Sequence, residues 1–165
     1  LGVLAGLALV LGYLERFFPG IPGAPGLKIG LSNVVVMFAA SMLGFGETLC
    51  IVSVKALFAL LTGGPVAGAL SLGGGLSSAG VLFVLFRAGG SRFGLLGVSV
   101  SGAVTHNLTQ LLLVSLLTGS PLLTGYAPAL LLGGLAMGFA TAYLLYCLLP
   151  ALGRWRGWTN LSPRT

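Results

Sequence analysis

The side chains able to do chemistry are few, and most sit inside or beside apolar runs. The densest group is Thr105-His106-Asn107-Leu108-Thr109-Gln110. His106 and Gln110 are four residues apart, so a helix puts them on one face, with Asn107 beside them. An imidazole and two carboxamides there either bond to a neighbouring helix or line a cavity for a polar ligand. A second group, Leu27-Lys28-Ile29-Gly30-Leu31-Ser32-Asn33, follows a Pro/Gly-rich loop. Lys28 is then a point cation at a helix N-terminus, where backbone amides also favour an anion. Its plainer reading is an interfacial lysine whose amine snorkels to water. Lys55 stands eight residues after Glu47. That is just over two helical turns, so the two share a face but lie about 12 Å apart, too far to pair. Lys55 needs an acceptor on another helix, on a partner protein or on an anionic ligand. Glu15-Arg16 closes the first apolar run and reads as a solvated interfacial pair of little energetic weight.

Several chemistries are excluded. The chain has no Asp, and its only acids are Glu15 and Glu47. It cannot by itself assemble the carboxylates that hold magnesium. One His and no second ligand at suitable spacing leave no metal site. There is no Gly-Lys-Ser/Thr phosphate loop and no Ser-centred nucleophile elbow, so neither ATP use nor acyl transfer is expected. No catalytic residue and no cofactor is expected. The net charge of +6 comes from scattered single cations. Lipid is therefore a simpler partner than nucleic acid. Cys50 and Cys147 lie in apolar runs and read as buried thiols.

These residues must be positioned by elements that live in lipid. Of 165 residues, 56% are hydrophobic and 6% charged, against roughly 25% charged in a soluble domain. A crossing helix needs about 20 apolar residues. Punctuation by Pro, Gly and charge gives runs at 1–18, 27–43, 47–61, 66–86, 94–117 and 126–149, with turns at 44–46 and 62–65. The fold expected is one all-α integral-membrane domain over residues 1–165, a bundle of six transmembrane helices. The chain opens on Leu1, not Met, and residues are expected to precede it. The first run has no basic leader and five further runs follow, so it reads as a span and not a signal peptide. With six spans, Arg87, Arg92, Arg154, Arg156 and Arg164 fall on one side and Arg16 and Lys28 on the other. Five cations against two put both termini in the cytoplasm of a plasma-membrane protein, with Trp155 and Trp158 at the inner interface. Small residues mark close helix contacts. Gly2, Gly6, Ala8 and Gly12 form smooth strips on the first helix, suited to a partner or to the bundle itself. The fourth run carries Gly64, Gly68, Gly73, Gly74, Gly75 and Gly80. These favour close packing over an unwound, cavity-lining turn.

The run Pro22 to Asn33, with Gly97-Val98-Ser99-Val100-Ser101-Gly102-Ala103-Val104 leading into Thr105 to Gln110, resembles the Gx transporter family. That family is also described as heptaprenyl diphosphate synthase component I, and the resemblance covers nearly the whole chain. Its members look like the substrate-binding S components of energy-coupling factor (ECF) transporters. The resemblance implies a transmembrane T component and two cytoplasmic ATPases as partners. It implies a pocket open to the outside and a subunit that tilts to release its cargo. The family pattern has Arg where Lys55 stands, and a Lys loses the planar fork of a bidentate contact.

Two functions follow. The first is an S component, not an enzyme, that captures a small nutrient; the cation Lys28 and the apolar chain suit a short isoprenoid alcohol or phosphate. A flavin, thiamine or quinone precursor is the other cargo class. The second is a membrane accessory of prenyl diphosphate synthesis. The expected pocket joins Lys28 and Asn33 to His106, Asn107 and Gln110, with Lys55 as a further member.

Overall fold

The structure, a computed structural model, describes residues 1–17, 31–87, 90–119 and 122–151. Among them all regular structure is helical: α1 (Gly2–Leu14) with a 3-10 turn (Glu15–Phe17), α2 (Asn33–Met42), α3 (Phe45–Arg87), α4 (Gly90–Thr118) and α5 (Leu122–Ala151). The six separate helices expected are thus five elements. Residues 47–61 and 66–86 belong to one element, α3, interrupted at Gly64.

That interruption is a reversal. Gly64 has φ +85° and ψ 179°, a conformation open to glycine alone among common residues. Pro65 follows and opens the second arm, where a missing N–H costs nothing. Positions nearly equidistant from Gly64 meet. A Cβ on Gly68 would lie 2.8 Å from the Leu60 Cβ, and one on Gly75 would lie 2.6 Å from the Val52 Cγ1. Along a straight helix, residues eight apart are about 12 Å apart. The arms 45–63 and 65–87 therefore run antiparallel.

Three helices, Phe45–Arg87, Phe93–Thr118 and Gly125–Cys147, are long and apolar enough to cross a membrane; Gly2–Leu14 and Asn33–Met42 are shorter apolar helices. The chain reads as a membrane protein from its surface too. Val3, Leu61, Leu116, Leu132 and Tyr143 point outward, while Ser78, Thr48, His106 and Asn107 are buried. This inversion suits a bundle in lipid, where the exterior meets hydrocarbon and polar groups need partners inside. Cys50 and Cys147 are free and exposed, not buried as expected, since an apolar exterior accommodates a thiol as readily as the core does.

Three apolar clusters hold the bundle. Ala8, Val35, Val36, Ala39, Ile51 and Val52 join α1, α2 and the first arm of α3. Leu70, Leu111, Val114 and Leu130 join the second arm to α4 and α5. Met37, Ala40, Leu82, Leu95, Val98 and Leu145 tie α2 to the same three. The second arm is central, and it is continuous helix through Gly73, Gly74 and Gly75. Those glycines give close approach: Gly73 faces Leu113, Gly74 faces His106 and Gly75 faces Val52.

Candidate functional site

The site begins with two close helix crossings. Gly134 and Gly138 of α5 lie against α4, where a Cβ would come within 3.1 Å of the Val104 Cα and 2.6 Å of the Val100 Cα. Small residues four apart permit such an approach. Asn107 can then reach across, its Nδ2 donating to the Leu130 carbonyl at 3.1 Å. On the other side of α4, Gly74 leaves room for the His106 ring, which a Cβ would crowd at 2.8 Å. His106 Nε2 and Gln110 Nε2 are 3.1 Å apart, one helical turn along α4. Asn33, at the start of α2, donates from Nδ2 to Ser78 Oγ at 3.4 Å.

Five of the six expected pocket residues come together in the bundle interior. Asn33, Lys55, His106, Asn107 and Gln110 are all buried. Lys28 lies outside the described residues, as do Arg154, Arg156, Arg164, Trp155 and Trp158. Two small cavities flank His106, which lines both. The first is lined by Asn33, Ser99, Asn107 and Thr141 among apolar neighbours. The second is lined by Glu15, Ser32, Lys55, Ser71 and Gln110, with Ala8 and Gly12 on its α1 side. Each has room for about one or two waters. Among the described residues, Asn33 Oδ1, Ser99 Oγ and Gln110 Oε1 have no hydrogen-bond partner. A buried polar atom without a partner costs about 1–3 kcal/mol. These three sit in or beside cavities that a water or a ligand atom can fill.

Glu15 corrects the sequence reading. It is 8% exposed, not solvated. Its carboxylate accepts from the Leu31 backbone N–H and from Ser32 Oγ. Those groups lie just before Asn33, so the acid ties the end of α1 to the start of α2. Glu47, by contrast, is exposed.

The small residues of α1 divide between two faces. Ala8 and Gly12 are buried, and a Cβ on Gly12 would lie 3.8 Å from the Ser32 Cβ. Gly2 and Gly6 are exposed, with nothing within 4 Å of an added Cβ. At about 100° per residue the two pairs point roughly 120° apart. Ala8 and Gly12 pack within the chain, and Gly2 and Gly6 remain available to a partner.

The sequence reading missed Ser99, Ser78, Ser71 and Thr141, which look like ordinary small polar residues until helix packing turns them inward. It also missed Gly134 and Gly138, whose four-residue spacing was a usable signal. Among the described residues no three His, Cys, Asp or Glu side chains meet. Comparison with curated proteins and with solved structures gives no match. A family profile described as heptaprenyl diphosphate synthase component I matches residues 4–148, most of the chain and every described member of the cluster. The chain belongs to the heptaprenyl diphosphate synthase component I family.

Proposed function

We propose that this chain is a substrate-binding membrane subunit of the energy-coupling factor type. It would cross the membrane six times, with both termini cytoplasmic and each arm of α3 making one crossing. It would hold a small molecule in its polar core and hand it to a T component driven by two ATPases. The observation that carries this is the buried cluster: Asn33, Ser99 and Gln110 border small cavities on either side of His106 and keep unpaired polar atoms there. Such groups are costly in lipid and mark ligand paths. The same chain offers only Glu15 and Glu47 as acids, which suits binding and not metal-dependent catalysis.

The test is co-expression of tagged chain with a T component and its two ATPases from the same genome. A stable four-subunit complex is expected after detergent solubilisation, with Gly2 and Gly6 at or near the contact.

The family name favours a second reading, a membrane component that works with a prenyl diphosphate synthase subunit. Under it, the same pull-down recovers a soluble synthase chain in place of the T component. Heptaprenyl diphosphate formation would then rise when the chain is added. Recovery of that pair, with no T component bound, replaces the transport reading with this one.

A further inference from the structure

The open end of the α3 hairpin carries an outward groove of about 600 Å³. Gly44 and Phe45 line it where α3 starts, and Gly80, Phe83, Val84 and Arg87 line it where α3 ends. Those last four are spaced by three, one and three, so they form one stripe along the second arm. Phe45 and Phe83 meet edge to face, with ring centroids 4.8 Å apart, and so join the two arms at this end. Gly80 leaves the deep end of the groove open, since an added Cβ there would meet nothing within 4 Å. Arg87 is exposed and puts a cation at the other end. Glu47, the acid at this end of α3, is exposed and folds back over Gly44. Water and salt screen its charge, whereas Arg87 lines the groove itself.

The dimensions select the occupant. From Gly80 to Arg87 the stripe runs about 10 Å along the arm, against roughly 30 Å for the whole hydrocarbon core. It therefore lies within one leaflet, next to the membrane surface. A crossing partner helix would need a seam along the full arm. A phospholipid needs only one leaflet, with phosphate at the surface and hydrocarbon below it. The guanidinium suits that phosphate, because its planar fork donates paired hydrogen bonds to two oxygens. We infer that this groove is a phospholipid site, with the lipid's phosphodiester on Arg87 and one acyl chain laid against Val84, Phe83 and Gly80. The second chain stays in the bilayer. The site stands under either reading of the function, since it requires only that α3 lies in lipid.

The experiment titrates the full chain, purified and delipidated in detergent, with dioleoyl phosphatidylglycerol and with dioleoylglycerol. The two share their tails, and only the first has a phosphate. Native mass spectrometry counts the lipid bound per chain. Wild type is expected to take up one phosphatidylglycerol saturably, and to bind dioleoylglycerol about fivefold more weakly. Arg87→Gln is expected to lower phosphatidylglycerol binding to the dioleoylglycerol level, with Arg87→Lys recovering part of the difference. Gly80→Leu fills the groove from a position with open space around it and is expected to abolish saturable binding of both lipids. Should that variant not fold, Val84→Trp obstructs the same groove from an exposed position. Equal binding of the two lipids by wild type, or Arg87→Gln that binds as wild type does, overturns the phosphate contact. Unsaturable uptake that neither groove variant alters shows lipid held only as bulk solvent and overturns the site. Absence of bound lipid, with a helical membrane partner lost on Gly80→Leu, overturns it in favour of a protein contact. Neither a T component nor a synthase chain enters the measurement, so its outcome is separate from theirs.

Discussion

At Gly74 the missing side chain is what seats His106. A Cβ there would lie 2.8 Å from the ring and 3.0 Å from the Gln110 Cγ. Gly74→Ala is expected to displace the ring and lower stability by about 1–3 kcal/mol, read as a drop in the thermal unfolding midpoint in detergent. Glu15→Ala strips the Leu31 N–H of its acceptor and is expected to cost about 1–3 kcal/mol by the same measurement, with Glu15→Gln losing less. An alanine variant as stable as wild type would show that this tie between α1 and α2 contributes nothing to stability. Residue by residue, the site was partly legible. The His106–Gln110 contact follows from a spacing of four on one helix. Asn33 to Ser78 spans 45 residues, and no local pattern could pair them. Glu15 was misread because Arg16 and a proline-rich loop follow it. Yet Ala8, Gly12 and Glu15 are spaced by four and three, so all three share the buried face of α1 and its continuation.

At the scale of elements, α3 sets the layout, and its reversal can be tested directly. Gly64→Ala puts a Cβ on a backbone that L residues avoid and is expected to cost about 1–3 kcal/mol of stability. In a background where Cys50 and Cys147 are replaced by Ser, Val52→Cys with Gly75→Cys places two Cβ atoms about 3.5 Å apart, near disulfide spacing. Mild oxidation is expected to consume both thiols, and unreacted thiols would argue against antiparallel arms. The turn itself was legible, because Thr62-Gly63-Gly64-Pro65 interrupts an apolar run. The inward partners of the three consecutive glycines were not. Composition says that the second arm packs closely, but only tertiary structure says that Gly73, Gly74 and Gly75 each meet a different neighbour.

For the whole molecule, the apolar exterior and polar interior were legible from composition, since a chain with 6% charged residues has nothing else to show to lipid. Its orientation is open to labelling. Single cysteines at Gly46 and Gly63, both exposed and at opposite ends of the first arm of α3, are expected to react with impermeant maleimide from opposite sides of the membrane. Same-side reaction would sink the proposed crossing of that arm. The hairpin at Gly64 also bears on how the chain enters the bilayer. From residue 56 to residue 86 no side chain carries a charge. The corner can therefore pass through hydrocarbon during synthesis with no ion to dehydrate. Because the arms meet on both sides of Gly64, they can leave the insertion machinery as a pair, already matched, before α4 and α5 exist. The half-site on α3, with Lys55 on one arm and Ser71, Gly74 and Ser78 on the other, would then be in place before His106 arrives on α4 to divide it.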